Sequence, residues 1–257
     1  MNEKLENKVK YFFKSPYRGR EDVRASLRTL QQFGRLVLVG GMLRDLSLFG
    51  NAGFRSDLDF VIVPYDIEAF EKHMITSGAT TNRFGGYGLL SHRWQIDVWP
   101  LQKSWAHVHG HVKLSTVNDL RRATFFNCDA IVYDVESSSI RASKSYFDDL
   151  EAKVLEINLE PNPNPSGSSV RAFRYALTKG FSWGPKLSRY VAETIDAVGW
   201  DLLLEGEVRS FGTRYLDTLD RNAFNRELLK FVDHGTDDLF DPGAYKKNAQ
   251  PWLPHIF

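Results

Sequence analysis

Three aspartates, Asp57, Asp59 and Asp97, are the side chains best suited to chemistry in this chain. Asp57 and Asp59 stand two residues apart at the head of the apolar run Phe60-Val61-Ile62-Val63. In an extended segment alternate side chains share a face, so the two carboxylates point one way and Leu58 and Phe60 the other. Like charges this close raise one pKa unless a cation neutralises them, and hard oxygen ligands favour magnesium. Asp97 sits between Ile96 and Val98. A carboxylate inside an apolar strand is costly unless paired or metal-bound, and two-metal phosphoryl transfer uses a third carboxylate beside an aspartate pair. Upstream, Gly40-Gly41 lets backbone approach a ligand closely, and a helix starting there offers unpaired N–H groups suited to a phosphate.

Each piece alone also has a simpler reading, since a Gly-Gly pair makes turns and Asp-x-Asp is common at strand edges. Their order gives them weight: an apolar strand over 36–39, the glycine turn, a helical MLRDLSLF segment, then the aspartate strand. Around this unit, residues 20–33 place Val23, Leu27, Leu30 and Phe33 near helical spacing, with acidic residues first. DIEAFEKHMITSG reads as a helix ending at Gly78, with Phe70 and Met74 facing the core. RFGGYGLLSHRWQIDVWPL reads as a glycine turn followed by two strands. His107, His109 and His111 alternate; on a strand they would share a face and could bind a transition metal, or they form a polar face or loop.

With 257 residues, 42% hydrophobic and 25% charged, the chain has ordinary globular proportions and length for one large domain or two modest ones. A net charge of +1 gives no global mandate for nucleic acid. The beginning is basic, however: Lys4, Lys8, Lys10, Lys14, Arg18, Arg20, Arg24, Arg28 and Arg35 outnumber the nearby acids. That pattern suits either a solvated amphipathic helix or an electrostatic footprint for RNA. The single cysteine, Cys128, excludes an internal disulfide framework or a cysteine-rich zinc site. No apolar run approaches a membrane span and the charged start is no signal peptide, so the expectation is a cytoplasmic protein with no membrane partner.

Together Gly40, Gly41, Arg44, Asp45, Asp57 and Asp59 form a stretch that resembles the GGxxRD…DxD signature of the DNA polymerase β nucleotidyltransferase superfamily, in the branch of bacterial-type CCA-adding enzymes and bacterial poly(A) polymerases. IDVWPL around Asp97 is similar to that branch's third-carboxylate strand, with Gln102 where the pattern has arginine and Lys103 beside it. Residues 119–134, DLRRATFFNCDAIVYD, resemble its second motif through Arg121, Arg122, Asn127, Ala130 and Tyr133-Asp134. VRAFRYALTKGF resembles its neck helix through Arg171, Arg174, Gly180 and Phe181. The likeness covers residues 36–181. Where CCA-adding enzymes carry Glu-Asp-x-x-Arg to read the incoming base, this chain has Asn164, Pro165 and Ser168.

The resemblance implies an α/β (α+β) nucleotidyltransferase head with a mixed sheet over 1–158, its catalytic core about 36–135, followed after the PNPNPSGSS boundary by a helical neck and small body over 166–257. It implies a nucleoside triphosphate bound between the two parts, with Asp57, Asp59 and Asp97 as catalytic and metal-holding residues for two Mg²⁺ ions, or Mn²⁺. Gly40 and Gly41 would shape the phosphate turn, and Arg44, Arg122, Asn127, Arg171 and Arg174 would serve the nucleotide or acceptor, with Arg44 and Asp45 also suited to bracing the head. The reaction would transfer NMP to a hydroxyl with release of pyrophosphate, the acceptor being an RNA 3′ end, tRNA by family analogy. Two alternatives stay open: nucleotidylation of a protein or small molecule, and a non-catalytic antitoxin or regulatory subunit with a protein partner. In the remainder, KLSRYVAETIDAV and RNAFNRELLKFV carry helical periods, and Trp183, Trp200 and Trp252 suit packing or base stacking.

Overall fold

Apolar residues at helical and then alternating spacing build the first half of the chain. The computed structural model describes residues 2–54, 57–82 and 84–247; Trp252 lies outside them. Two compact units are distinguished, the first comprising Met1–Ala152 with Asn158–Pro161 and the second Lys153–Ile157 with the chain from Asn162 onward.

In the first unit, helix α1 (Asn2–Lys14) buries Leu5, Val9 and Phe12, and α2 (Arg20–Gln31) buries Val23, Leu27 and Leu30. Strand β1 (Gly34–Val39) leads into α3 (Gly41–Gly53), then β2 (Leu58–Pro64) and α4 (Ile67–Thr76). Helix α4 starts where the sequence places it because the Asp66 side chain accepts hydrogen bonds from the Glu68 and Ala69 N–H groups. The short strand β3 (Thr80–Thr81), the hairpin β4 (Tyr87–Ser91) and β5 (Trp94–Pro100), and β6 (Ile131–Asp134) and β7 (Ser139–Ala142) follow, with the short helix α5 (Trp105–Val108) between β5 and β6. Helix α6 (Tyr146–Glu151) completes the unit.

Among the described residues these strands form a seven-stranded mixed sheet in the order β3-β4-β5-β2-β1-β6-β7. Only β2 and β5 run parallel; the other neighbours are antiparallel. One face of the sheet presents Leu36, Leu38, Phe60, Ile62, Ile96 and Val98, all buried. Helix α1 packs on that side, with the Phe13 and Phe60 ring centroids 6.5 Å apart and Phe12 edge-on to Phe54 at 5.5 Å. The opposite face holds a smaller cluster of Val37, Val61, Leu101, Ala106, Val112, Leu114, Leu120 and Val132.

Asp134 ties two central strands. Its carboxylate pairs with the Arg35 guanidinium on β1 and accepts the Glu136 and Ser137 N–H groups at 3.0 and 3.2 Å. Burial by itself would raise this carboxyl, but Arg35 and the two N–H donors outweigh it and hold the pKa below the ordinary value. A depressed carboxyl contributes stability above its unfolded pKa of about 3.9 and loses it as pH falls through the folded value. Arg35 is 44% exposed, so the pair is worth only about 1 kcal/mol. Asp134→Asn is therefore expected to lower stability by about that amount at pH 7, with the gap to the parent closing below pH 4 in urea melts run across pH.

The second unit opens with the short parallel pair β8 (Val154–Leu155) and β9 (Ser182–Trp183) around α7 (Pro165–Lys179), followed by α8 (Pro185–Val198), α9 (Trp200–Phe211) and α10 (Arg221–His234). The chain enters α7 at Pro165, earlier than the proline-rich boundary suggests. Proline at the first helical position forfeits an N–H that would be unpaired anyway, and the Asn164 side chain caps Gly167 N–H at 3.1 Å. Gly180, with φ of 72°, ends the helix in a left-handed cap. The core of this unit is aromatic: Phe173 meets Trp183, Trp200 and Phe224 at centroid distances of 4.9, 5.4 and 5.2 Å. Trp183 and Trp200 are thus packing residues, at 0% and 8% exposure.

Candidate nucleotidyl-transfer site

The parallel pairing of β2 and β5 brings the aspartates together. Asp59 is the register partner of Asp97, with Leu58 opposite Ile96 and Phe60 opposite Val98. Those four apolar neighbours are fully buried. Burying them forces Asp59 and Asp97 out through the other face, where both are half-buried, and Asp57, one step before β2, stands exposed on the same side. Partial desolvation first, and the Asp97 carboxylate second, push the Asp57 pKa up. This is the repulsive carboxylate group that the spacing suggests.

Gln95, two residues before Asp97 on the same face, donates its amide Nε2 to Asp97 Oδ1 at 2.9 Å. Sequence reasoning missed this residue; the alternation of β5 around Asp97 would have pointed to it. Across the hairpin, Gly88 is the partner of Asp97. A Cβ on Gly88 would lie 2.7 Å from Gln95 Nε2 and 3.2 Å from Asp97 Oδ1, so the glycine leaves the room that this hydrogen bond occupies. Gly88→Ala is expected to break the Gln95–Asp97 bond, lowering turnover about tenfold, equivalent to ~1.4 kcal/mol, with a Tm change of no more than a few degrees. Single-turnover rates and thermal melts on the same preparation test it.

Leu38 pairs with Phe60, so β1 ends beside the start of β2, and the glycine turn falls at the aspartate end of the sheet. Gly40 adopts φ 66° and ψ −125°, a backbone state closed to other residues at low cost, while a Cβ there would meet nothing within 4 Å. The requirement is therefore conformational, and the space around the turn is open. Gly41 is the first residue of α3.

Arg44 is 3% exposed, its Nε bonded to Asp45 Oδ1 at 2.9 Å and its Nη1 to Asp129 Oδ1. Asp45 is 4% exposed. The pair and Asp129 lock α3 against the turn at Asn127–Asp129, with the Asn127 side chain accepting from Cys128 N–H at 2.8 Å. Arg122 is exposed and its Nη2 contacts Asp119 at 2.8 Å. Lys103, beside the Gln102 that replaces the motif arginine, is paired with Glu71.

In the second unit, Arg171 is exposed and donates to Ser168 Oγ at 3.3 Å, and Asn162 donates to the same oxygen at 2.6 Å. Arg174 is engaged within its own unit by Glu207 and Thr213 and lies over the Phe211 ring at 4.1 Å. Ser168 is fully buried inside α7, so the base-template position of the resembled family is here a packed hydroxyl.

The three histidines do not share a strand face. Residues 105–108 form a helical turn, His107 Nδ1 accepts Leu114 N–H at 3.2 Å, and His109 and His111 lie against Trp105 at 5.1 and 4.8 Å. Among the described residues no three His, Cys, Asp or Glu side chains converge closely enough to hold a metal unaided. For the aspartates this still fits magnesium, which commonly takes one or two carboxylates and completes its shell with substrate phosphates and water. Their all-oxygen donor set, and the repulsion on Asp57 that a cation would relieve, agree with that chemistry.

No protein-family model and no curated protein matches the chain. Solved structures do. The chain is similar to a tRNA-processing enzyme with CTP (17% identity, TM-score 0.52, covering 80% of this chain and 57% of that one). It is similar to a CCA-adding enzyme in an apo form (16%, 0.52, covering 82% and 51%) and to one in complex with CTP (16%, 0.54, covering 90% and 55%). The fold is therefore that of these nucleotidyltransferases, and the chain spans little more than half the length of the structures it matches. No described helix is long and apolar enough to cross a membrane.

Proposed function

We propose that this chain is a metal-dependent nucleotidyltransferase that moves NMP from a nucleoside triphosphate to a hydroxyl, with an RNA 3′ end, tRNA by analogy with its structural neighbours, as acceptor. The observation that carries this reading is the Asp59–Asp97 register pair, with Asp57 beside it, at the sheet end where the Gly40 turn opens α3. Asp57, Asp59 and Asp97 would hold Mg²⁺, which when bound supplies charge neutralisation at the α-phosphate and a more acidic acceptor hydroxyl. The acceptor oxygen forms a bond to the α-phosphorus as the α–β bridging bond breaks, its proton is lost, and pyrophosphate leaves.

The chain's own residues do the positioning. The Gly40 turn and the first N–H groups of α3 suit a phosphate oxygen. Gln95 holds Asp97 in a fixed rotamer. Arg44, Asp45 and Asp129 brace the helix that carries the turn, while Arg122, Asn127 and Arg171 are the candidates for nucleotide or acceptor contacts. With Ser168 buried where a base-reading arginine would stand, base choice falls to other groups, and a C-then-A order is not implied. The cytoplasm supplies both substrates and is the proposed location.

Transfer of label from each of the four α-³²P NTPs with Mg²⁺ to total RNA and to protein, against an Asp57→Ala/Asp59→Ala control, tests the reading. Aspartate-dependent label in RNA of tRNA size supports it and identifies the base. Aspartate-dependent label in protein redirects the acceptor to a side chain. No aspartate-dependent label in either fraction overturns transfer to a macromolecule and leaves a small-molecule acceptor or a regulatory role.

A further inference from the structure

On the helix-covered face of the first unit, α1 and α2 border an open groove of about 240 Å³ that the aspartates do not line. Four cations line it: Lys10 and Lys14 from α1, and Arg24 and Arg28 from α2. Each pair is spaced i, i+4, so each helix turns two like charges to one side, an arrangement that costs an isolated helix stability. Phe13 and Leu27 contribute an apolar wall, and no carboxylate lines the groove. Arg24 donates to the Lys14 carbonyl at 2.7 Å, which fixes one helix to the other. Lys10, Lys14 and Arg28 have no ion-pair partner among the described residues, although the chain as a whole is almost neutral at +1.

Four cations converging in a groove with no counter-charge make a site for an anion that the chain does not supply. Four positive charges around an apolar wall match a polyanion with planar, apolar side groups, which is the chemistry of single-stranded nucleic acid. The floor includes Tyr133 and Val135. Tyr133 pairs with Leu38, itself the partner of Phe60, so its side chain shares their face of the sheet, opposite the face through which Asp59 and Asp97 emerge. A strand held there lies on the other side of the sheet from Asp59 and Asp97.

We infer that the Lys10/Lys14/Arg24/Arg28 groove holds backbone phosphates of the RNA acceptor away from its 3′ end, across the sheet from the aspartates. The word acceptor rests on the proposed transfer function; the binding does not. The test is therefore direct binding of a 5′-fluorescein-labelled 20-nucleotide single-stranded RNA to the full chain, by anisotropy at several salt concentrations. Lys10→Glu/Arg28→Glu should raise Kd more than tenfold, and Lys10→Gln/Arg28→Gln, which removes two charges without reversing them, should lower the log Kd against log salt slope by about 1.4. Helical circular dichroism unchanged in the Gln variant shows that the fold is kept.

An unchanged Kd and slope in both variants overturns the inference. So does displacement of the RNA by poly-glutamate as effective as by unlabelled RNA at equal charge, which would assign the groove to an acidic protein. Failure of this site and failure of the proposed function are distinguishable. Groove-dependent RNA binding without aspartate-dependent transfer leaves the groove standing and removes the activity. Transfer with an unchanged KM for RNA in the charge-reversed protein does the reverse.

Discussion

Asp97→Asn is expected to abolish transfer while making the protein slightly more stable. Asparagine keeps an Oδ1 that can accept the Gln95 amide, so the hydrogen bond at 2.9 Å survives and β5 is not disturbed. What is lost is one negative charge beside Asp57, whose pKa the Asp97 carboxylate helps to raise. Asp57 is exposed, so relief of this like-charge repulsion is worth no more than about 1 kcal/mol and should appear as a small Tm increase. On the proposed function that charge also helps to hold a divalent cation against triphosphate, and metal assistance to phosphoryl transfer is worth several kcal/mol. A fall of at least ~10³-fold in single-turnover rate, ~4 kcal/mol, follows. Stability and rate thus move in opposite directions. A variant with reduced rate and reduced Tm would instead mean that Asp97 holds the strand together, and the site would have to be relocated.

The same physics explains why this part of the molecule was legible in the sequence. Alternation put Asp57 and Asp59 on one side, and the cost of a carboxylate in an apolar strand singled out Asp97 before any pairing was known. Alternation does not give register, and only the β2–β5 pairing puts Asp59 opposite Asp97. The helices α2, α4, α8 and α10 carry clear periods and were readable for that reason. Helix α9 was not singled out, because Leu202-Leu203-Leu204 places apolar residues on consecutive positions and Glu207, which looks like a solvated residue, is fully buried. The start of α7 was misplaced because serial prolines argue against helix in general, whereas Pro165 at the first position after an Asn164 cap begins one. The histidine triplet left a strand face and a loop both open. Its alternation is real, but Trp105 packs against His109 and His111 and a helical turn precedes them, so the period of two is not that of a strand.

A division of labour among the basic residues follows from burial. Arg44 and Arg174 belong to motifs that resemble nucleotide-binding ones, yet each is tied to carboxylates within its own unit. Arg122 and Arg171 remain exposed. Guanidinium groups committed to buried partners position elements, and those at the surface are available to phosphate. On this basis Arg44 and Arg174 are held by carboxylates within their own units while Arg122 and Arg171 stay at the surface, a difference that sequence spacing alone could not separate.

Glu207→Ala is expected to cost about 3–5 kcal/mol of stability. Glu207 has no exposed surface and serves four donors: Arg174 Nη1 at 3.2 Å, Thr213 Oγ1 at 2.9 Å, Tyr215 N–H at 2.9 Å and Leu216 N–H at 3.0 Å. Truncation leaves a partly buried guanidinium without its counter-charge and two backbone N–H groups unpaired, so the penalty is that of stranded polar groups rather than of lost contacts. Replacing both partners, as Arg174→Met with Glu207→Leu, removes the charge pair but still strands the Tyr215 and Leu216 N–H groups, so it should recover only part of the loss. The shortfall of the double variant measures the backbone share of the network. Urea unfolding of the parent, Glu207→Ala, Arg174→Met, Glu207→Leu and the double variant supplies the numbers, and a Glu207→Ala loss under 1 kcal/mol would show that the carboxylate is not what holds α9 to the turn at 215–218. The cycle also decides the role of Arg174. If that guanidinium touches the nucleotide, Glu207→Ala frees it and the KM for NTP shifts in the protein that remains folded; if it is only a brace, KM stays while stability falls.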